Sequence, residues 1–160
     1  MLVALTAYAA DVGAKIWAVH RLSRDDIEVL GDWFVLHLVR NPGAAFSTGT
    51  EFTVVFSVVA IIALCVVLWF ARRVGTMLWA ISLGLLVAGI AGNLTDRIFR
   101  DPGPLRGHVV DLFMIPKWPV FNVADVCIDV AAVLILWQAF RNVRLDGSHP
   151  PRELPEENPA

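Results

Sequence analysis

Four long apolar segments constrain this chain more than any other feature of its sequence. The second of them, residues 52–70, contains no charged residue. At ~1.5 Å rise per residue, a helix of this length crosses a hydrocarbon core of ~30 Å. The hydrophobic share of 57% is also high for a soluble domain. We predict an all-α polytopic membrane protein with four transmembrane helices, at about residues 2–19, 52–70, 76–94 and 122–140.

The first long connection between these segments predicts a small β-rich element. Residues 34–39 are too few to span a bilayer and are rich in strand formers. We therefore expect a strand or hairpin at the membrane surface, followed by a turn at Asn41-Pro42-Gly43. The predicted organisation is one four-helix transmembrane domain over residues 1–145. Residues 146–160, rich in Pro and Glu, predict a disordered tail.

Composition and spacing exclude several classes of function. A formal net charge of −2 gives no case for nucleic-acid binding. The four histidines are scattered, no His-Glu-x-x-His pattern occurs, and no Gly-rich phosphate loop is present. Cys65 and Cys127 both lie in apolar segments, where cysteine usually acts as a small packing residue. We expect neither a metal ion nor an organic cofactor.

Two carboxylates are the first candidates for chemistry. Asp111 follows the apolar pair Val109-Val110, and Asp125 lies at the start of the fourth apolar segment. A carboxylate beside or inside such a segment is a functional candidate, because its burial in lipid is expensive. We expect Asp111 to lie on a loop that folds back toward Asp125. Two aspartates held close share one proton and supply one general base and one general acid. The pattern predicts the centre of an intramembrane aspartyl peptidase.

A third acid, Asp129, lies one helical turn after Asp125 on the same face. Spacing alone therefore permits Asp125 and Asp129 as the catalytic pair. One turn rises ~5.4 Å, which carries Asp129 further from interfacial water. We therefore expect Asp111 and Asp125 to form the pair.

Asp11 and Lys15 interrupt the first apolar segment four residues apart, so they share one helix face. In one interpretation they neutralise each other, or Lys15 extends its ammonium group to the membrane surface. In the other, both face a polar interior and brace the site. The spacing does not separate the two.

Further polar residues lie where the predicted segments end. Asn41 belongs either to an ordinary turn or to a position where its amide meets a substrate backbone. Asn93 ends the third segment, and Asp96 with Arg97 forms either a surface ion pair or an anchor for polar substrate groups. Asn122 is suited to cap the fourth helix, with Asp125 completing a capping box.

Two other functions use the same features. Intramembrane acids and a lysine suit the relay of a proton- or ion-coupled carrier, although no inverted repeat of broken helices is present. A lipid-binding scaffold without catalysis is the other alternative, and it needs no paired acids. The basic residues leave the orientation open. They are dense at the short connection and the tail start, but the long connections hold more of them.

The motifs taken together resemble lipoprotein signal peptidase, the signal peptidase II family. The resemblance covers the chain from the first segment to the fourth. It rests on Asp11-x-x-x-Lys15, Asn41-Pro-Gly-Ala-Ala-Phe46, Gly92-Asn93-Leu-Thr-Asp96-Arg97, Val109-Val-Asp111 and Phe121-Asn122-Val-Ala-Asp125. Asp129 departs from the family pattern, in which that position is small or apolar.

The resemblance implies a bacterial aspartyl endopeptidase of the plasma membrane. It would cut diacylglyceryl-modified prolipoproteins just before the lipidated cysteine, with prolipoproteins and membrane lipids as its partners and no cofactor. Both termini would be cytoplasmic, the active site would face the extracytoplasmic side, and we expect a monomer. The implied catalytic residues are Asp111 and Asp125. The implied substrate-binding or supporting residues are Asp11, Lys15, Asn41, Asn93, Asp96, Arg97 and Asn122.

Overall fold

The computed structural model describes residues 1–43 and 52–149. It contains four long helices and three short strands. All four helices are long and apolar enough to cross a membrane, which confirms the predicted architecture. The helices are α1 Leu2–Arg21, α2 Thr53–Ala71, α3 Met77–Phe99 and α4 Val123–Phe140, and the strands are β1 Ile27–Glu28, β2 Val35–Asn41 and β3 Val109–Met114.

Helix α3 is the central element, because it packs against each of the other three helices. Small residues make this close approach feasible, as expected between membrane helices. A Cβ atom at Gly89 would lie 2.5 Å from the carbonyl oxygen of Ala124 and 2.6 Å from Cγ1 of Ile128. A Cβ atom at Gly92 would collide with the carboxylate of Asp11. The backbones of α1 and α4 therefore lie directly against α3.

Helix α2 is held differently, through polar rather than apolar groups. Its buried residues are Thr53 and Ser57, while most of its Val, Ile and Leu side chains face outward. The Ser57 hydroxyl donates to the carbonyl oxygen of Leu105 at 2.7 Å. In lipid no hydrophobic driving force turns apolar side chains inward, so the apolar residues of α2 can face outward while Ser57 ties the helix to the connection after α3.

The three strands form an antiparallel sheet with β2 in the middle. The strand predicted at residues 34–39 is confirmed within β2. The prediction that Asp111 lies on a loop is wrong, because Asp111 lies within β3, opposite Val39. Val109, Val110 and Leu112 around it are strand formers that are buried, and β2 supplies the backbone partners that a loop would lack.

A tight return connects β3 to α4. Phe121 and Phe113 exchange backbone hydrogen bonds at 3.0 and 2.8 Å. Asn122 then caps α4: its Oδ1 accepts from the Asp125 backbone N–H at 3.0 Å, and Asp125 Oδ2 accepts from the Asn122 N–H at 3.1 Å. The capping box brings Asp125 to the first turn of α4, directly after the strand that carries Asp111.

After α4, residues 142–149 turn back against the α2–α3 connection. The Gly75 N–H donates to the carbonyl oxygen of Leu145 at 2.9 Å, and the Trp79 indole N–H donates to that of Val143 at 3.3 Å. The predicted disordered tail, residues 146–160, lies mostly outside the described residues and stays a prediction, as does the domain boundary at residue 145.

Replacing Gly89 by Ala should destabilise the helix bundle by roughly 1–3 kcal/mol, because the added methyl group meets the α4 backbone and cannot be accommodated by a side-chain rotation. Thermal unfolding in detergent measures the effect. Gly13→Ala is the matched control, since nothing lies within 4 Å of a Cβ atom at that helical position. Equal unfolding temperatures for the two variants would contradict the close packing of α3 on α4.

Candidate active site

The carboxylates of Asp111 and Asp125 accept hydrogen bonds from the same residue, Asn122. Asn122 Nδ2 donates to Asp111 Oδ1 at 2.6 Å, while its backbone N–H donates to Asp125 Oδ2. Asn122 is fully buried, and Asp111 is only 2% exposed. The residue that caps α4 therefore also fixes both acids in relation to each other.

Two more amides complete the hydrogen bonding of the acids. Asn41 Nδ2 donates to Asp111 Oδ2 at 3.1 Å, and Asn41 Oδ1 accepts from the Gly43 N–H at 3.0 Å. Asn93 Nδ2 donates to Asp125 Oδ1 at 2.8 Å. Each oxygen of each carboxylate thus has a donor, and each acid is held in one orientation.

Lys15 lies behind these amides as a buried cation. Its Nζ contacts Asp11 Oδ2 at 2.9 Å, Asp96 Oδ2 at 3.0 Å and Asn93 Oδ1 at 2.9 Å. The ammonium group thus donates a hydrogen bond to the Asn93 amide and forms ion pairs with both carboxylates. Lys15 is 1% exposed, so the interpretation in which it reaches for the membrane surface is wrong. It faces the polar interior because that is where its carboxylate partners lie.

The two acids paired with Lys15 extend the network to other elements. Asp11 Oδ1 accepts from the Ala124 N–H at 2.8 Å, which satisfies one of the free N–H groups at the start of α4. Asp96 Oδ2 accepts from the Val110 N–H at 3.1 Å and so anchors β3. Residues of α1 and α3 therefore position the segments that carry Asp125 and Asp111.

Arg97 does not form a surface ion pair with Asp96, so that interpretation is wrong. Arg97 is buried and donates to the carbonyl oxygens of Pro42 and Gly43, at 3.4 and 2.5 Å. Asp96 instead pairs with Lys15 and Arg100. The two neighbours diverge because α3 continues to Phe99, beyond the predicted end at residue 94, and successive helical residues point in different directions.

One supporting residue was missed by the sequence reasoning. The Thr53 hydroxyl donates to the Pro42 carbonyl oxygen at 2.7 Å, beside the contact made by Arg97. A hydroxyl group at the start of an otherwise apolar segment was the available signal. The rest of the Asn41 motif, Ala44 to Phe46, lies outside the described residues.

The environment of Asp111 favours its protonated form. Burial, and next the negative charge of Asp125, raise the pKa of Asp111 to about 6. Hydrogen bonds from Asn41 and Asn122, and the charge of Lys15, act in the opposite direction. Because burial and the charge of Asp125 outweigh the hydrogen bonds and the charge of Lys15, Asp111 holds a proton at a pH where an ordinary aspartate is ionised.

A cavity of about 460 Å³ opens onto both acids. Its other walls are mostly apolar, so a substrate would meet polar groups mainly at the two carboxylates, at the amides of Asn41 and Asn93, and at Arg97 and Asp129. The apolar lining comes from three helices, from strand β3 and from the return between β3 and α4: Ala60, Ile90, Ile128, Val109, Trp118, Pro119, Val120 and Phe121.

Fold and site together define a bundle of membrane-spanning helices with two buried or partly buried carboxylates that accept hydrogen bonds from the same asparagine. The family model of signal peptidase (SPase) II matches residues 3–141. The chain therefore belongs to the signal peptidase II family, a family of bacterial lipoprotein-processing peptidases of the membrane.

Named relatives agree with this family assignment, and two solved structures agree with the fold. The chain is 46% identical to the lipoprotein signal peptidase of Streptomyces coelicolor, over 91% of this chain and 72% of the relative. It is 43% identical to the lipoprotein signal peptidase of Streptomyces griseus, over 91% of this chain and 75% of the relative. A bacterial membrane enzyme solved at 2.3 Å has the same fold, with a TM-score of 0.79 and 23% identity, over 94% of this chain and 93% of that one. A second bacterial membrane enzyme, solved at 1.9 Å, matches with a TM-score of 0.76 and 25% identity, over 88% of this chain and 92% of that one.

Replacing Lys15 by Met should destabilise the protein by about 3–5 kcal/mol, because it leaves Asp11 and Asp96 buried without their shared cation. Thermal unfolding in detergent is the measurement. Adding Asp11→Asn to Lys15→Met should recover part of the loss, since one stranded charge is removed. Lys117→Met, at an exposed lysine, is the control. If Lys15→Met and Lys117→Met unfold alike, the buried network is not what joins the helices.

Proposed function

We propose that this chain is an intramembrane aspartyl endopeptidase. It cleaves the signal peptide from diacylglyceryl-modified prolipoproteins, just before the lipidated cysteine. The observation that carries the proposal is the bridging of Asp111 and Asp125 by Asn122 at the wall of a cavity among the spanning helices. Signal-peptide cleavage is implied by the family, and the paired acids supply a chemistry for it that needs no cofactor.

The two acids take different roles in the reaction, one as general base and one as general acid, because the pair carries one proton. The ionised carboxylate takes a proton from water while the water oxygen bonds to the scissile carbonyl carbon. The protonated carboxyl gives its proton to the carbonyl oxygen, which produces a tetrahedral gem-diol. The first acid then donates the proton it took to the leaving nitrogen as the C–N bond breaks. The second acid recovers a proton from a gem-diol hydroxyl, and the pair returns to its starting state.

The remaining site residues act mainly by positioning. Asn41, Asn93 and Asn122 direct their amides at the two acids, which supports a role in orienting carboxylates before substrate arrives. Lys15, Asp11 and Asp96 hold the elements behind them. Arg97 holds the backbone at Pro42 and Gly43, immediately before the part of the motif that is not described.

The proposed orientation puts both termini in the cytoplasm and the sheet and active site at the extracytoplasmic side. Four spans bring the start of α1 and the end of α4 to the same end of the bundle, away from the sheet. That end carries Arg73 stacked on Trp69 at 4.3 Å and Arg141 over Trp137 at 6.0 Å, a pairing of basic and interfacial aromatic residues that suits a cytoplasmic surface. We propose that the enzyme acts as a monomer in the bacterial plasma membrane.

Asp111→Asn and Asp125→Asn should each abolish cleavage, a loss of at least roughly 10³-fold, because an amide neither takes nor gives the required proton. The assay is the mass shift of a purified diacylglyceryl-modified prolipoprotein at matched enzyme concentration. Asp25→Asn, at an exposed position before the sheet, is the control and should cleave at the parent rate.

The same assay tests the substrate class. The unlipidated form of the same preprotein should be cut poorly by the parent enzyme. Full activity in Asp111→Asn or Asp125→Asn would show that the wrong carboxylates are paired. Equal rates on lipidated and unlipidated substrate would refute the lipid requirement.

The rate should also report the raised pKa of Asp111. The pair needs one proton, and Asp111 loses it as the pH rises through about 6, so kcat/KM should fall above that value. A bound substrate excludes water and buries the pair further, so the fall in kcat should occur at higher pH. Both constants are measured over a pH series, with activity re-assayed at a common pH to exclude unfolding. A kcat/KM that rises through pH 6 and beyond would contradict this assignment of the proton.

A further inference from the structure

The proposed mechanism leaves one carboxylate of the cavity unused. Asp129 is exposed on α4, four residues after Asp125, and it lines the cavity that holds the two acids. It also lines a neighbouring cavity of about 390 Å³, together with Ile115, Pro116 and Val126. Trp118, Phe121 and Asp125 belong to both cavities, so Asp129 lies where the two meet.

Asp129 has no hydrogen-bond donor among residues 1–43 and 52–149. This separates it from Asp111 and Asp125, whose four oxygens all have donors. A carboxylate within a membrane helix is costly unless water or a bound group donates to it. Its exposure toward the cavity means that such a donor arrives with whatever fills the cavity.

We infer that Asp129 is a specificity-determining residue that accepts a hydrogen bond from a side chain of the signal peptide, close to the cleavage point. The inference rests on the proposed function. The mature part of a prolipoprotein leaves the membrane, so the substrate groups that lie deeper than the two acids are the signal peptide and the acyl chains. Acyl chains carry no donor, and hydrocarbon packed against a carboxyl group leaves its oxygens without hydrogen bonds, which is unfavourable. The signal peptide is therefore the partner.

The spacing on α4 limits which residue of the signal peptide is involved. Four helical residues separate Asp129 from Asp125, which is ~6 Å along the axis. An extended peptide advances ~3.3 Å per residue. For a signal peptide that runs along α4 from Asp125, the donor therefore lies about two residues before the scissile bond. Ser supplies a small hydroxyl donor and is the probe for this contact.

The test uses lipidated substrates that carry Ala at each of the three residues before the cut, or Ser at one of them in turn. For the parent enzyme, a substrate with Ser at the second residue before the cut should have a kcat/KM about tenfold higher than the substrate with Ala there. A factor of this size is typical of a hydrogen bond to a charged group. Asp129→Leu should bring that ratio close to one. Asp129→Asn, which keeps an acceptor oxygen without the charge, should give an intermediate ratio. Val130→Ala, on the adjacent exposed position, should leave it unchanged.

Several results would overturn the inference. A parent enzyme that treats Ser and Ala alike at all three positions has no such contact. An Asp129→Leu variant that slows every substrate equally, or only moves the pH profile, would mean that Asp129 acts through the charge of the catalytic pair. Failure of the parent to cut any of the lipidated substrates would refute the proposed function itself, whereas cleavage without Ser preference refutes only the role of Asp129.

Discussion

One buried ammonium group, that of Lys15, is the interaction on which the rest of the structure depends. Removing a charge from water costs several kcal/mol, and the cost is offset only when every donor finds a good partner. Here the partners are two carboxylates and one amide, drawn from α1 and α3. Those carboxylates in turn hold the first turn of α4 and the strand β3. The glycines of α3 set how closely the helices approach, and this buried charge adds a requirement for which polar residues must face one another.

The polar interior continues without a break from Lys15 to the two proposed catalytic acids. Asn93 accepts from Lys15 and donates to Asp125, while Asn122 donates to both Asn93 and Asp111. The oxygen of each side-chain amide accepts a hydrogen bond from one group and its nitrogen donates to another, which fixes the orientation of the amide as well as its position. Such a network holds the two acids in fixed orientations, so the proposed reaction would need little reorganisation of the site.

Much of this could be predicted from the sequence, because hydropathy over a long window is a local property. The four spans and the strand near Val35 followed from it, and the candidate acids followed from their place beside apolar residues. Non-local pairing could not be predicted in the same way. The partner of β3 lies some seventy residues earlier in the chain, so Asp111 was expected on a loop. The i, i+4 spacing of Asp11 and Lys15 is identical whether the pair faces lipid or the interior, and only the position of Asp96 decides between the two.

The hydrogen bond between Asp11 and the backbone of Ala124 joins residues that are 113 positions apart. A growing chain that contains only the first three helices has Lys15 and Asn93 but lacks both the Asp125 carboxylate and the amide of Asn122. The proposed catalytic arrangement is therefore complete only when the last helix has entered the membrane and packed against the first. Under the proposed mechanism an unfinished molecule lacks one of its two acids, so it stays inactive until its own synthesis is complete.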